Sequence, residues 1–587
     1  MLKTFLKFLK PYKWQFAIAV ICICIECGLE VVLPFLMNNL IKGGVIETGE
    51  NTYTMNLSYV LLLGIIMIVL ALLAFFIGVI GAKFSAISGR GLGYELRKEE
   101  YRKLESYSFK NIDSFRRSSL ITRLTNDVQI ISDTLCTSLR PTLRAPIMMI
   151  FSLIFALIIS PLLSLIFLCA LIVLSAMIFT IVHFVKPKFK IIQKLVDNIN
   201  RVTQESIIAI KTIKAYVKKD YELLKFKEAN EDLKKTSRKT LSINALSMPA
   251  GQLANYGTII AIIYFGGILY MQPAHAIALE DIQTFLTYVM QLLSTIIMFS
   301  NILMAVNRAS ASIYRVNEVL STNSEIVDKE DSTKVITQGA ITFKDVSFKY
   351  NLSSPEYVLK HISFDIKPGE FVGVIGQTGS SKSTLVSLIE RFYDITSGEI
   401  LIDGVDIKEY SLEHLRDSIS ISFQSPTLFK GTVTENLKWG NKNATKEEID
   451  SACKIAECYS FINDRLNEGF NTVISQGGTS VSGGQRQRLC IARALLKKPK
   501  ILILDDSFSA LDKITETKVK NNLKKHLPFM TKIVISQKIS TIQDADKIIV
   551  LDNGKISNIG THEELLKKDD IYKDIYNLQV LGGSDNE

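Results

Sequence analysis

The chain has 587 residues, too many for one hydrophobic core, so two or more domains are expected. Hydrophobic residues make up 48% of the sequence and the mean hydropathy is positive, which argues against a wholly soluble protein and indicates a membrane. The formal net charge of +10 is compatible with nucleic-acid binding until the basic residues are located along the chain.

Residues 1–14 alternate apolar side chains with Lys at helical spacing. This pattern predicts an interfacial amphipathic helix that lies along the inner leaflet before the first span. A cleavable signal peptide would also place basic residues before an apolar run. It is disfavoured because no small-residue cleavage site is evident and the run continues through Glu26 and Glu30 to Pro34.

Six apolar stretches are long enough to cross a bilayer as helices of about twenty residues. They lie near residues 16–37, 57–82, 146–160, 162–185, 247–271 and 284–306. Only Ser160 and Pro161 separate the third from the fourth, which predicts a tight hairpin, and the third is short unless it starts near Thr142. The stretches predict a membrane all-α domain of six transmembrane helices over residues 15–320.

Charge is distributed unevenly between the connections. Residues 43–58 and 272–283 contain acidic residues but no Lys or Arg, whereas 83–140 and 186–239 are rich in both signs. The positive-inside tendency therefore places the two long loops and both termini in the cytoplasm. The basic excess indicates membrane topology, and nucleic-acid binding is only a minor alternative.

Each long loop is predicted to form two antiparallel helical arms of roughly 25 residues, which extend about 35 Å beyond the bilayer. Their tips lie at 108–115 and 207–216.

Two acidic residues inside the first span, Glu26 and Glu30, share one helix face. They are expected either to contact a cationic substrate, to pair with a neighbouring span, or to lie near the outer interface. Asn255, Gln291 and Asn301 are further candidates for a substrate pathway.

The polar residues 321–338 predict a linker to a second domain over 339–580, and the tail 581–587 is predicted to be disordered.

A phosphate-binding loop follows the apolar run 371–375. It fits G-x-x-x-x-G-K-[ST] except that Ser381 replaces the glycine before Lys382, and it has the strand, loop and helix context that the motif requires. Backbone N–H groups would surround the phosphates, with Lys382 on the terminal ones and Ser383 on magnesium. A Gly/Ser-rich surface turn is the alternative. Serine tolerates a left-handed turn less readily than glycine, so Ser381 is expected to weaken the loop.

A second motif, Ser482-Gly483-Gly484-Gln485, begins a predicted helix, and an acidic strand ending in Asp505 and Asp506 follows. Here the chain resembles the ATP-binding cassette (ABC) superfamily, with the motifs in the family's order between 341 and about 577.

The resemblance implies an α/β P-loop cassette that binds ATP and Mg2+. It implies that Tyr350 stacks on adenine, that Gln424 forms the glutamine loop and is one of the catalytic residues with those at positions 506 and 537, and that Asp512 lies in the loop between paired cassettes. The residues expected to bind ATP are Tyr350, Gly376, Gln377, Thr378, Gly379, Ser380, Ser381, Lys382, Ser383, Thr384 and Gln424, with Ser383, Gln424 and Asp505 around the magnesium ion.

With its six spans and cytoplasmic arms, the whole chain resembles an ABC exporter half-transporter, whose arms end in coupling helices that dock on the cassettes. In that family the cassettes pair head to tail, so Ser482, Gly483, Gly484 and Gln485 would act on the partner's nucleotide.

The site built on Lys382 departs from the family at three positions. Asp506 stands where a catalytic glutamate is usual and Gln537 where a switch histidine is usual, while Ser381 alters the loop. A base shorter by one methylene reaches its water poorly, and Gln537 cannot shuttle a proton as imidazole does. The pattern resembles the degenerate-site subunit of bacterial heterodimeric, multidrug-type ABC exporters.

The resemblance implies a related half-transporter as partner and a multi-pass protein of the bacterial plasma membrane. A homodimeric exporter and an ATP-gated channel or membrane regulator are alternatives. A soluble nucleic-acid ATPase is disfavoured by the six spans. The sequence does not identify the exported substrate, since hydrophobic drugs, lipids and peptides all fit the family.

Overall fold

The computed structural model describes residues 7–49, 52–271, 277–329 and 331–581. They form two compact units, one of Met1–Glu105 with Arg117–Thr322 and the other of Ser106–Arg116 with Asn323–Glu587. Residues 1–6 of the predicted interfacial helix and 582–587 of the predicted disordered tail lie outside the described part.

The first unit consists mainly of long helices. Their sequences are rich in apolar side chains, and in a bilayer the backbone N–H and C=O groups must find their hydrogen-bond partners within the helix. A short 3-10 turn, Lys10–Tyr12, leads into the first of them. The helices of this unit are Lys13–Gly44, Leu57–Glu105, Arg117–Thr122, Val128–Ile159, Pro161–Ile208, Ile210–Ala215, Lys219–Ala245, Ser247–Tyr270 and Leu279–Ser321.

All six apolar stretches fold as helix where the chain is described. Within these residues, four helical runs are long and apolar enough to cross a bilayer. They are Lys7–Gly44, Leu57–Glu105, Ser118–Ile159 and Pro249–Tyr270. The predicted count of six transmembrane helices stays a prediction, with the remaining two stretches on Pro161–Ile208 and Leu279–Ser321.

The third apolar stretch belongs to a longer helix than the sequence indicated. The helix Val128–Ile159 passes through Pro141 and Pro146 without a break and ends at Ser160, whose side chain accepts a hydrogen bond from the N–H of Leu163. The expected tight hairpin at Ser160 is therefore present. The helix therefore begins well before residue 146, because the proline residues do not interrupt it, and the start of the span stays a prediction.

Both acidic residues of the first span have cationic partners. Glu26 forms an ion pair with Arg140, and Glu30 lies 2.6 Å from Arg144. The interpretation that these glutamates pair with a neighbouring span is therefore confirmed.

A two-stranded antiparallel hairpin connects the first two long helices. Its strands are β1 (Val45–Gly49) and β2 (Thr52–Met55), with Val45 opposite Met55. From the sequence, this segment was predicted only as a connection between spans.

Short helices occupy both predicted tips. Phe109–Ser114, in the second unit, begins at Ser108 with a capping box that includes Asn111. Ile210–Ala215 lies in the first unit between the two long helices that flank it. Their function as the ends of cytoplasmic arms stays a prediction.

Two sheets form the centre of the second unit. Its strands are β3 (Ile341–Phe348), β4 (Leu359–Ile366), β5 (Phe371–Gly376), β6 (Ser397–Ile402), β7 (Val405–Asp406), β8 (Ile419–Ser422), β9 (Gly431–Thr432), β10 (Val473–Ile474), β11 (Ile501–Asp505), β12 (Thr531–Ile535), β13 (Lys547–Asp552) and β14 (Lys555–Gly560). The larger sheet has the order β14-β13-β5-β12-β11-β8 and is parallel except for β14; the smaller has the order β4-β3-β6-β7. The strands β9 and β10 pair with each other in a separate antiparallel sheet.

Both faces of the parallel sheet are buried, as its nearly continuous apolar strands require. Along β5, Phe371 and Ile375 enter one apolar cluster while Val372 and Val374 enter the cluster on the opposite face. The helices of this unit that follow β5 are Lys382–Ile389, Leu412–Ser418, Val433–Lys438, Lys446–Ile455, Tyr459–Arg465, Gly483–Leu496, Lys513–His526, Ile539–Ile542, His562–Lys568 and Asp570–Leu581.

The segment predicted as a linker packs as part of the second unit. The carboxylate of Asp403 accepts hydrogen bonds from the N–H groups of Thr337, Gln338, Gly339 and Ala340 at 2.7–2.9 Å. Burial alone raises the pKa of Asp403, but these donors outweigh it and hold the pKa below its usual range. The chain is therefore fixed before β3 begins.

Candidate functional site

The predicted site residues follow four neighbouring parallel strands. Ser381 and Lys382 follow β5, Gln537 follows β12, Asp506 follows β11, and Gln424 follows β8. The carboxyl ends of parallel strands meet at one edge of a sheet, where α/β proteins bind ligands. Residues far apart in sequence are therefore brought together.

A cavity of about 310 Å³ opens at this edge. It is lined by Thr378, Gly379, Ser381, Lys382, Ser383, Thr384, Gln424, Asp505, Asp506, Ile535 and Gln537. Ten of these eleven residues were predicted from the sequence, and Ile535 is the addition.

Lys382 is buried at the start of the helix Lys382–Ile389. Its Nζ donates to the carbonyl oxygens of Gly376 (2.9 Å) and Gln377 (2.8 Å) and lies 3.2 Å from the Ser380 hydroxyl. Burial lowers the pKa of Lys382, whereas the carboxylates of Asp505 and Asp506 oppose that shift. A cation beside a helix N-terminus suits a bound polyphosphate.

Asp505 and Ser383 form the oxygen pair expected for a magnesium ion. Asp505 ends β11 and is 5% exposed, and its carboxylate shares a hydrogen bond with Ser383. Burial raises the pKa of Asp505 more than this hydrogen bond lowers it. A carboxylate and a hydroxyl are hard oxygen ligands of the kind that Mg2+ prefers, so these residues fit the ion.

Asp506 has a left-handed backbone, with φ of 48°, and its N–H donates to the carbonyl of Ile535 at 3.0 Å. Its carboxylate oxygen lies 3.5 Å from the Gln424 amide nitrogen. Burial raises the pKa of Asp506. Two residues predicted to act on hydrolysis are thus in contact across the cavity.

Gln537 lies just after β12 and lines the cavity. Its carbonyl accepts a hydrogen bond from Gln579 Nε2 at 2.7 Å, and Gln579 Oε1 accepts one from the N–H of Ile539 at 2.9 Å. A side chain of the C-terminal helix therefore holds both sides of the segment that carries Gln537. Gln579 was not predicted from the sequence, since no motif marks it.

Ser381 adopts the conformation that favours glycine. It has φ of 73° and ψ of 24°, and its side chain makes no capping hydrogen bond to the helix it precedes. A left-handed conformation costs a non-glycine residue about 1–2 kcal/mol. The strain anticipated at Ser381 is therefore present in its backbone.

We expect Ser381→Gly to stabilise the full chain by about 0.5–1 kcal/mol, because removal of the left-handed strain exceeds the entropy that glycine gains on unfolding. Binding of a fluorescent ATP analogue should tighten as the loop populates its binding conformation more fully. Thermal unfolding and ligand titration measure both effects.

Ser380→Gly is the matched control for this prediction, because Ser380 has no positive φ and its hydroxyl contacts Lys382. It should weaken binding. Equal effects of the two substitutions would contradict the assignment of strain to Ser381.

Tyr350 is connected to the cavity through Thr384, since the two hydroxyls lie 2.9 Å apart. Its ring is 42% exposed and packs edge-on against Phe348 and Tyr393, at centroid distances of 4.9 and 5.0 Å. An exposed aromatic face beside the cavity suits stacking on a nucleobase.

The tip helix Phe109–Ser114 reaches the same aromatic group. The ring of Phe109 lies 4.6 Å from that of Phe392, and the Tyr393 hydroxyl donates to Asp113 at 2.6 Å. Tyr393 therefore contacts both Asp113 and Tyr350.

Gly376 allows the loop to fold tightly. A Cβ at this position would lie 2.1 Å from the carbonyl oxygen of Leu551, so only glycine fits.

The predicted signature does not line the cavity of its own chain. Ser482 caps the helix Gly483–Leu496, with a capping box in which its hydroxyl accepts from the N–H of Gln485. Gly484 lies close to the backbone of Ala510, where a Cβ would meet the carbonyl oxygen at 2.8 Å. Asp512 caps the next helix and accepts from the N–H of Thr515 at 2.9 Å.

Gln487 connects the helix that carries the signature with the loop after Asp506, and it was not predicted. It is 3% exposed, it lies 3.5 Å from the carbonyl of Asp506 and 3.1 Å from the Ser509 hydroxyl, and it accepts from the N–H of Ala510 at 3.0 Å. Nothing in the sequence distinguishes this glutamine, which is the fifth residue of a helix that starts with two glycines. Gln487 positions the loop after Asp506 relative to the signature helix.

Family comparisons match both halves of the chain. Residues 16–296 match the model described as ABC transporter transmembrane region, and 359–509 match the model described as ABC transporter.

Full-length relatives are similar to this chain in sequence. An uncharacterized ABC transporter ATP-binding protein of Bacillus subtilis, YfiB, is 35% identical over 98% of both chains. An ATP-dependent lipid A-core flippase of Nitrosococcus oceani is 32% identical over 98% of this chain and 95% of its own. A solved bacterial Atm1-family ABC exporter with ATP bound has a similar fold, with a TM-score of 0.79 at 24% identity over 97% of this chain and 98% of its own.

Proposed function

The chain belongs to the ABC transporter family, and on that premise we propose that it is an exporter subunit that holds ATP at its own site and completes the hydrolytic site of a related companion subunit. Members of this family are ATPases that couple hydrolysis to transport, and their helical domain makes them multi-pass membrane proteins.

One observation carries the proposal: Ser381, Asp506 and Gln537, the three departures from the family pattern, line a single cavity, whereas the unaltered Ser482–Gln485 signature does not line it. Random drift would not be expected to collect all three changes in one site. The altered residues serve the ATP bound by this chain, and the signature is free to serve another.

The residues of the cavity are suited to hold ATP. Lys382 and the N-terminus of its helix would bind the terminal phosphates, and Tyr350 would stack on the base. Mg2+, held by Ser383, Asp505 and Gln424, would supply charge neutralisation at the phosphates.

The same cavity is poorly suited to hydrolysis. The carboxylate of Asp506 is one methylene shorter than glutamate, and a displacement of about 1 Å can cost on the order of a hundredfold in rate. Its raised pKa favours basicity, so reach rather than proton affinity limits it. Gln537 can donate a hydrogen bond but cannot become cationic.

The signature would stabilise the companion's nucleotide. Ser482 offers a hydroxyl, and the helix Gly483–Leu496 presents its N-terminus. Paired glycines leave those N–H groups accessible to a phosphate.

A conformational change in the arms would reach the ATP cavity through the tip helix Phe109–Ser114. Asp113 contacts Tyr393, which contacts Tyr350 beside the ATP cavity. Displacement of the Phe109–Ser114 helix would therefore change the surroundings of the nucleobase.

The test uses the tagged full chain, purified from its native membrane with any companion subunit that copurifies. Ser482→Ala should lower ATP turnover on the order of a hundredfold, because it removes a donor from the companion's hydrolytic site. Lys382→Ala, in the chain's own site, should leave most of the turnover intact. Equal losses from the two substitutions, with no companion subunit, would indicate a homodimer and contradict the proposal.

Thr561→Ala is the matched control, since Thr561 forms an equivalent capping box on the helix His562–Lys568 but does not line the cavity. It should leave turnover unchanged, which separates loss of a helix cap from loss of a catalytic donor.

A further inference from the structure

A second cavity lies within the helical unit and has no part in ATP binding. Its volume is about 410 Å³, within the range of about 300–1,000 Å³ that is usual for small-molecule sites. Four long helices contribute to its wall: Lys13–Gly44, Leu57–Glu105, Val128–Ile159 and Leu279–Ser321.

Two opposite charges face this cavity. Glu30 and Arg144 lie 2.6 Å apart, and their side chains are 26% and 28% exposed. Ionisable groups within a membrane are costly and usually mark a substrate path or a partner. The ion pair uses one bond of a guanidinium that has five N–H donors, so capacity for a further ligand remains.

The rest of the wall is divided by polarity. Gln283, Thr284 and Thr287 line it from one helix, and Leu33, Met37 and Met67 form an apolar part. A site of this composition suits a molecule with a polar head and an apolar body.

Hydrogen bonds join two of the helices that form the wall of the cavity. The Tyr288 hydroxyl donates to the carbonyl of Val31 at 3.1 Å, and the carboxylate of Asp281 accepts from Asn38 (2.8 Å) and Lys42 (2.7 Å). These bonds join the helix Leu279–Ser321 to the helix Lys13–Gly44 on both sides of Pro34. The cavity is thus built by the fold.

The charges around the cavity balance. One helical turn from Glu30 and Arg144, Glu26 pairs with Arg140, so each carboxylate has a guanidinium partner. A ligand with a net charge would leave one of these groups uncompensated at low dielectric. A ligand that carries both charges can replace the ion pair without any uncompensated charge.

We propose that this cavity binds the transported molecule and selects a zwitterionic amphiphile; the inference rests on the proposed export function. Arg144 takes the anionic group of the head, Glu30 takes the cationic group, and the apolar body lies along Leu33, Met37 and Met67.

The test measures equilibrium binding of radiolabelled amphiphiles that share a dodecyl chain to the full chain in nanodiscs, without nucleotide. The probes are dodecylphosphocholine, dodecyl phosphate and dodecyltrimethylammonium. The native chain should bind the zwitterion about tenfold more tightly than either singly charged probe. Glu30→Gln should make the anionic probe the preferred one, and Arg144→Met should do the same for the cationic probe.

The exchanged variant Glu30→Arg with Arg144→Glu guards against loss of folding, because it retains an ion pair. It should retain the preference for the zwitterion. Glu280→Gln, an acidic residue on the same unit that does not line the cavity, should leave the order of affinities unchanged.

An order of affinities that is the same in the native chain, Glu30→Gln and Arg144→Met overturns this inference. Because binding is measured without nucleotide, that result is independent of the Ser482 and Lys382 comparison. The proposed asymmetric ATP sites can therefore fail while this inference holds, and the reverse.

Discussion

The full chain carrying both Asp506→Glu and Gln537→His should hydrolyse ATP at its own site on the order of a hundredfold faster than the native chain. Glutamate adds one methylene, about 1.5 Å of reach toward the cavity beyond the point where Asp506 now lies 3.5 Å from Gln424. Histidine supplies a group that can bear positive charge next to the terminal phosphate. Phosphate release by the purified chain at saturating ATP measures the rate.

Each single substitution should raise the rate less than the pair, since base and switch act on one transition state. Adding Asp505→Asn to the double variant should abolish the gain, because Asp505 is the carboxylate paired with Ser383. An unchanged rate in the double variant would make Asp506 and Gln537 neutral substitutions and would remove the chemical basis for two unlike sites.

Most residues that line the cassette cavity were predicted from the sequence, because the motifs that contain them stand at the ends of strands. Lys382 and Asp505 follow short apolar runs, Gln424 follows the alternating strand β8, and parallel strands bring such positions to one edge whatever the loop lengths between them. The left-handed backbone at Ser381 was also foreseen, since the motif requires glycine there.

Gln487 and Gln579 were not predictable in the same way. Each acts through a contact with the backbone of a distant loop, and no spacing in the sequence records that contact. Helix packing decides such partners, and an amide side chain in an amphipathic helix is otherwise unremarkable in sequence.

In the membrane half, the helices could be predicted from the sequence, but few of the contacts between their side chains could. Apolar length predicts a span, but it does not specify helix rotation, so the partners of Glu26 and Glu30 stayed open. The matching four-residue spacing of Arg140 and Arg144 was present in the sequence. Arg140 was assigned to the charged segment 83–140, and neither arginine was considered as a partner for the glutamates.

The ion pair between Glu26 and Arg140 is expected to contribute strongly to the stability of the full chain. Glu26 is 4% exposed, and Gly78 on the neighbouring helix makes room for it, since a Cβ there would lie 2.8 Å from its carboxylate oxygen. Arg140→Met should therefore destabilise the full chain by about 3–5 kcal/mol, because it leaves a buried charge without a partner. Thermal unfolding of the full chain, followed by the loss of its helical circular dichroism signal, measures the change in stability.

The double variant Glu26→Gln with Arg140→Met separates the charge from the packing. With both charges removed it should recover most of the lost stability, whereas a purely steric role of Arg140 would leave the double variant as unstable as the single one. Arg144→Met gives a comparison with a less buried carboxylate, because the side chain of Glu30 is 26% exposed and that of Glu26 only 5%. If the burial of the unpaired carboxylate determines the loss of stability, Arg144→Met should destabilise the chain less than Arg140→Met. The same difference in exposure would explain why Glu30, and not Glu26, is available to a ligand.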